Sequence, residues 1–285
     1  MFDLPSGPDA EQEDILRATN ALLGRSFGEI DEEIQGMADD ERARSKHGVA
    51  NVIESGYFNI ETNSSAEPDF GKAGIELKVT PLRLTGNNEL VRPKERLVLC
   101  MCDYMEVVDA DHWTDVPALR KKLEQVLIIW YIHIVGQDRR TYPIVWWTLW
   151  EPMTEPEWSE IIQSDFEICK KRILNGEVPS EKHTQLLGTC PKHGGGYDRE
   201  NPEESPRSSR VAQDAHPTLD YAEKRGWSIG LGGCMDLFES ATGLEKASRG
   251  RASGIELTAL WGAAQERTPH DIPRFSDAIN EDDDS

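Results

Sequence analysis

Four side chains in the first third of the chain have types and spacing suited to metal-assisted chemistry: Glu54, Asp69, Glu76 and Lys78. The segment 68–81 reads Pro-Asp-Phe-Gly-Lys-Ala-Gly-Ile-Glu-Leu-Lys-Val-Thr-Pro. In a strand, residues two apart share a face. Glu76 and Lys78 then project together, while Ile75, Leu77 and Val79 enter a core. A strand that begins near Gly74 lets Asp69 fold back beside Glu76. Two converging carboxylates suit a hard divalent cation such as Mg²⁺, and Asp69 and Glu76 are the candidate metal ligands. Such a cation polarises a phosphoryl oxygen and lowers the pKa of a bound water, which is what hydrolysis of a phosphodiester requires. Lys78 on the same face can position that water and stabilise charge on phosphorus. Glu54, further upstream, either orients Lys78 or completes a second metal position. A Glu-x-Lys alone is very common and also describes a surface strand with a cross-face ion pair; the preceding Pro-Asp narrows the choice.

These groups need a frame. Apolar spacing through Ile15, Leu16, Ala21 and Leu22-Leu23 predicts helix within 1–40, which Gly24 can stop. A second helix is expected over 47–54, carrying Glu54. Strands are expected at 76–81 and 97–108. A helix over 117–125 leads into the apolar run 126–135, the turn 136–140 and a returning strand 142–150, together a β-hairpin. Trp158, Ile161-Ile162, Phe166 and Ile173 recur on one side of a helix over 156–174. The Gly-, Ser- and Pro-rich stretch 193–217 reads as a loop, order returns over 219–240, and 276–285 reads as an acidic disordered tail. The pattern is mixed α/β, with 1–275 forming one domain.

Composition limits the alternatives. No run of eighteen apolar residues exists, so no membrane span is expected, and the first residues lack the pattern of a signal peptide. A cytoplasmic protein is the expectation. Five cysteines at irregular spacing do not suggest a disulfide framework, and Cys190-Pro-Lys-His193 lacks a second pair of zinc ligands. Trp146, Trp147 and Trp150 read as core, and His112, His133 and His183 form no nucleophile–base set. The formal net charge of −21 opposes nucleic-acid binding. The field along one cleft, not the total, decides that question. Short basic clusters occur at Arg42/Arg44/Lys46, Arg92/Lys94/Arg96, Arg120/Lys121/Lys122 and Arg207/Arg210.

The Pro-Asp…Glu-x-Lys pattern resembles the nuclease superfamily of type II restriction enzymes, and its surroundings resemble the MutH-like family that acts at GATC. The family's Lys-Gly-x-x-Gly-x-x-x-Glu helix is similar to Lys46-His-Gly48-Val-Ala50-Asn-Val-Ile-Glu54, with Gly48 one place late and Ala50 where a second glycine is usual. The resemblance extends through 23–30, 74–82, 93–99, 183–192 and 225–229. The stretches Pro93-Lys94-Glu95-Arg96-Leu97 and Trp227-Ser228 look like the restriction branch in particular.

The resemblance implies a restriction-endonuclease-like α/β fold: a mixed β-sheet flanked by helices, with two lobes forming a DNA cleft. It adds Lys122 to the catalytic set. It places Lys46, Lys94, Lys122, Lys192, Arg225, Trp227 and Ser228 at the DNA. It implies a Mg²⁺-dependent site-specific deoxyribonuclease, with Mn²⁺ able to substitute, cutting duplex DNA at or near GATC to leave 5′-phosphate ends. The chain stops too early to hold the second MutH-like region of the GATC-cutting enzyme, so self-association on DNA, or nicking, is expected. A mismatch-repair nickase acting with a MutL partner is the alternative. A non-catalytic DNA-binding subunit of a defence complex, with its own protein partner, is the alternative of another class.

Overall fold

A computed structural model describes residues 7–37, 49–61 and 67–267. Two amphipathic helices come first, α1 (Gln12–Asn20) and α2 (Phe27–Met37). Between them Gly24 adopts φ +80 and donates its N–H to Ile144, so the predicted stop falls where a left-handed residue is needed. The helix expected over 47–54 begins outside the described residues. Its described part is a short α-helical turn, α3 (Val49–Asn51), which widens into a π-helical turn over Val52–Tyr57. There Phe58 N–H reaches the Ile53 carbonyl five residues back.

The main sheet has six strands. The first is β1 (Ile75–Thr85), followed by β2 (Leu90–Pro93). Next comes β3 (Leu97–Met101), which belongs to a second, smaller sheet. The strand expected over 97–108 thus ends early. Asp103 accepts N–H bonds from Met105 and Glu106 at 2.9 and 3.2 Å and caps a helix, α4 (Tyr104–Asp109). Helix α5 (Pro117–Lys122) starts on a proline and feeds β4 (Gln125–His133). The hairpin partner β5 (Ile144–Trp150) runs antiparallel to β4, as the two apolar runs predict. Helix α6 (Pro156–Leu174) has the predicted bounds.

After α6 the chain builds the smaller sheet. Strand β6 (Leu187–Pro191) precedes the expected loop, which contains 3₁₀ turns and a short strand, β7 (Arg210–Ala212), paired with β8 (Tyr221–Glu223). Strand β9 (Arg225–Ile229) and helix α7 (Leu231–Thr242) follow. The hairpin β10 (Ala247–Arg249) and β11 (Ala252–Glu256) and helix α8 (Leu257–Arg267) complete the described chain. The strand orders are β10-β11-β2-β1-β4-β5 and β3-β9-β6. The acidic tail lies outside the described residues. Among the described residues no helix is long and apolar enough to cross a membrane.

Strand β1 pairs parallel with β4, and Glu76 stands opposite Val126, Lys78 opposite Ile128. Residues 126–129 of β4 are wholly buried on both faces, as a strand in the middle of a covered sheet requires. Asp165 of α6 fastens the two layers. Its buried carboxylate accepts N–H bonds from Gln185, Leu186 and Leu187 at 2.9, 2.7 and 2.9 Å at the entry to β6. Removing it orphans three donors at once. Asp165→Ala is expected to lower unfolding stability by roughly 3 kcal/mol in denaturant titration; a value within error of wild type would contradict this role.

Candidate active site

The centre is built around a hairpin-like reversal of the chain. Phe70 and Ile75 form an antiparallel bridge, with N–H to carbonyl bonds of 2.9 and 3.2 Å in both directions. Gly74 closes the reversal at φ +69, a conformation a β-carbon disfavours. The turn returns Asp69 alongside β1, where its Oδ2 accepts the Leu77 N–H at 2.9 Å. Asp69 therefore stands beside Glu76, as the sequence spacing anticipates.

Glu76 is almost wholly buried, 2% exposed, although a charged strand residue ordinarily faces water. Both of its oxygens are engaged. Lys78 Nζ donates to Oε1, and Lys122 Nζ donates to Oε2 at 2.7 Å. Lys122 also donates to the Glu67 carbonyl at 2.8 Å, two residues before Asp69. Glu54 joins from the π-helical turn. Burial pushes its carboxyl above the usual carboxylate range; Lys78 opposes this, and Asp69 and Glu76 add to it. Asp69 is raised first by burial, then by Glu76, against the pull of Lys78, the Leu77 N–H bond and Lys122. The structure thus brings Glu54, Asp69, Glu76, Lys78 and Lys122 into one electrostatic group.

The donor chemistry fits a hard divalent cation. Carboxylates that repel one another in a half-buried site gain from a dication between them. Among the described residues no three His, Cys, Asp or Glu side chains close into a metal cage. A cation here would be held by Asp69 and Glu76 and complete its shell with water and backbone oxygens, as Mg²⁺ commonly does. A cavity of about 330 Å³ opens onto Asp69, between Asn59–Glu61 on one side and Glu67–Pro68 on the other.

Two features of the centre have no signature in the sequence pattern. The Glu67 carbonyl acts through its backbone, so no side-chain motif marks it. Cys100 of β3 lies close enough to feel Lys122, Glu76 and Lys78, with burial pushing its thiol up to about 12. It reads in sequence only as part of an apolar run.

Residues 58–165 match the family model for DNA mismatch repair enzyme MutH. The type II restriction enzyme Sau3AI of Staphylococcus aureus is 31% identical over 151 residues, which are 52% of this chain and 30% of that enzyme. The DNA mismatch repair protein MutH of Yersinia pseudotuberculosis (serotype IB, strain PB1/+) is 28% identical over 197 residues, 67% of this chain and 81% of that protein. MutH of Yersinia pestis (strain Pestoides F) matches with the same identity and coverage. Over these stretches the chain is similar to MutH-like restriction endonucleases. Its mixed α/β architecture, with sheets flanked by helices, is consistent with that likeness. The match to Sau3AI leaves most of that longer enzyme uncovered.

The expected DNA-contacting residues of this chain fall into three groups. Lys46 lies outside the described residues. Lys94 and Lys192 reach solvent: Lys94 pairs with Glu95 at 2.8 Å, and Lys192 is exposed just beyond β6. Lys192 also packs near Gly226 of β9, whose other neighbour is the Cys100 carbonyl of β3.

The third group turns inward. Lys122 is buried in the centre, as described. Arg225 is buried and donates to Glu223 at 2.8 Å, to the Thr189 hydroxyl at 3.1 Å and to the Thr189 carbonyl at 2.7 Å. Trp227 is wholly buried and stacks on Phe166, with centroids 5.9 Å apart. Ser228 is wholly buried and donates its hydroxyl to Glu181 at 2.5 Å; Arg96 holds the other Glu181 oxygen at 3.0 Å. In this conformation Arg225, Trp227 and Ser228 brace the smaller sheet and present no side-chain donor to a ligand. Cys190 is a buried thiol, and His193 bonds Glu223 at 3.1 Å.

The raised Asp69 carboxyl means that its ionised form costs stability. The cost is full above its raised pKa and disappears once pH falls below the ordinary value of 3.8, where folded and unfolded forms are both protonated. Asp69→Asn keeps an acceptor for Leu77 N–H and removes the charge. In chelator-treated protein it should raise the melting temperature at neutral pH and give no gain below pH 3.8. A loss of stability at neutral pH would contradict the electrostatic description.

Proposed function

We propose that this protein is a Mg²⁺-dependent endonuclease of the type II restriction kind, hydrolysing phosphodiester bonds of duplex DNA at or near GATC and leaving 5′-phosphate ends. The observation that carries the reading is the convergence of Glu54, Asp69, Glu76 and Lys78 around one buried carboxylate. Similarity to Sau3AI, named a type II restriction enzyme, supports it.

In this reading Asp69 and Glu76 would hold the cation. A bound Mg²⁺ supplies charge for the phosphoryl oxygen and acidifies a water. Lys78, 21% exposed in its side chain, has room to leave Glu76 Oε1 and turn its ammonium toward the attacked phosphorus. Glu54, whose charge interacts with that of Lys78, is the group suited to orient that ammonium. The Leu77 N–H fixes Asp69, so one metal ligand is set by backbone before any ion arrives. Exposed Lys192 and partly exposed Lys94 are cations suited to DNA phosphates. The single copy supplies one such centre, and cutting both strands of a symmetric site calls for a second copy on the DNA.

A second reading, a mismatch-repair nickase working with a MutL-like partner, is favoured by a different observation: the match runs over 81% of the length of the MutH relatives. Product analysis separates the two, since nicked circles without linear fragments mark the nickase.

Asp69→Ala, Glu76→Ala and Lys78→Ala are each expected to reduce cleavage of plasmid DNA by at least about a hundredfold. Duplex binding in Ca²⁺, read by gel shift, should persist in all three. Full cleavage by any of them would overturn the assignment. DNA binding without cleavage by the wild type under every metal condition would favour a non-catalytic DNA-binding subunit.

A further inference from the structure

The charges of the centre do not balance in the metal-free protein. Glu54, Asp69 and Glu76 bring three carboxylates, and Lys78 and Lys122 bring two ammonium groups, which leaves one negative charge. Lys122 differs from Lys78 in how it is held. Its side chain is 8% exposed, and its ammonium is fixed between Glu76 Oε2 and the Glu67 carbonyl. Its neighbour Lys121 does what a surface lysine does and pairs with the exposed Glu67 carboxylate. Lysine is rarely buried without a paired partner, and here the partner is the candidate metal ligand itself.

We infer that Lys122 is the resident counter-ion of Glu76 and keeps divalent-cation binding weak until a phosphodiester enters, so that metal and substrate occupy the centre together. The inference rests on the nuclease reading above, in which Asp69 and Glu76 hold the metal. A dication added to the centre changes its charge from one negative to one positive, with the Lys122 ammonium fixed on the same carboxylate and repelling it. One phosphodiester charge then restores neutrality. Without Lys122 the centre carries two negative charges, and the dication alone neutralises it. Metal and phosphate are therefore coupled through Lys122, and the coupling is reciprocal: each ligand strengthens the other by the same factor. A lysine that only touched a DNA phosphate would have no such effect on the free protein.

The test is Ca²⁺ affinity by isothermal titration calorimetry, on the full chain, for wild type and Lys122→Met, each alone and with a GATC-containing duplex. Free Lys122→Met is expected to bind Ca²⁺ on the order of tenfold more tightly than free wild type. Duplex should tighten Ca²⁺ binding by wild type on the order of tenfold and by the variant distinctly less. Lys122→Gln, which keeps polar contacts without the charge, provides the same comparison if the Met variant fails to fold. Equal or weaker Ca²⁺ binding by the free, folded variants overturns the counter-ion role while leaving the metal site standing. Absence of Ca²⁺ binding by wild type and variants alike, with duplex or without, overturns the metal-site reading and this inference with it.

Discussion

The centre depends on one buried carboxylate. Glu76 sits in the middle of a covered sheet, where an unpaired charge would cost several kcal/mol. Its neutralisation explains why the surrounding elements meet where they do. Lys78 comes from the same strand face, two residues on. Lys122 comes from the end of α5, just before β4, the strand that pairs parallel with β1. The same Lys122 ammonium holds the Glu67 carbonyl and thereby the approach to Asp69. One carboxylate thus ties together β1, α5 and the Pro68–Asp69 loop.

The geometry is local where it must be accurate. The bridge between Phe70 and Ile75 and the left-handed Gly74 set Asp69 against β1 within eight residues of chain. Glu54 is delivered by a π-helical turn, an irregularity often found where a side chain must be aimed. The cost is visible in the carboxyl groups: Glu54 is pushed up by burial, Asp69 and Glu76, and Asp69 by burial and Glu76. A centre stabilised in this way trades stability of the empty protein for affinity toward a cation.

Much of this was legible in the residues. Period-two alternation put Glu76 and Lys78 on one face, and the Pro-Asp spacing put Asp69 beside them. The apolar runs of β4 and β5 and the one-sided pattern of α6 gave elements close to the observed ones. Where the reading failed, a local signal was overruled or lay far away in sequence. Asp103, as a cap, ended a strand that the apolar pattern would have continued. The alternation of β1 did not foretell that the Glu76 face would be covered too. Lys122 and Arg225 look like surface cations, but Glu76, which holds Lys122, and Thr189, which helps hold Arg225, lie 46 and 36 residues away, beyond any pattern of spacing. A long basic side chain reads the same in sequence whether it reaches outward or inward.

The central claim is that this centre cuts DNA with the help of a divalent ion. The most direct measurement is incubation of supercoiled plasmid, unmethylated and adenine-methylated, with the full chain across a Mg²⁺ series and in chelator, followed by sequencing of the product ends. The account predicts discrete Mg²⁺-dependent products with 5′-phosphate ends at one short sequence, and none in chelator. Plasmid left intact at every Mg²⁺ concentration, by protein that binds it, would contradict the account.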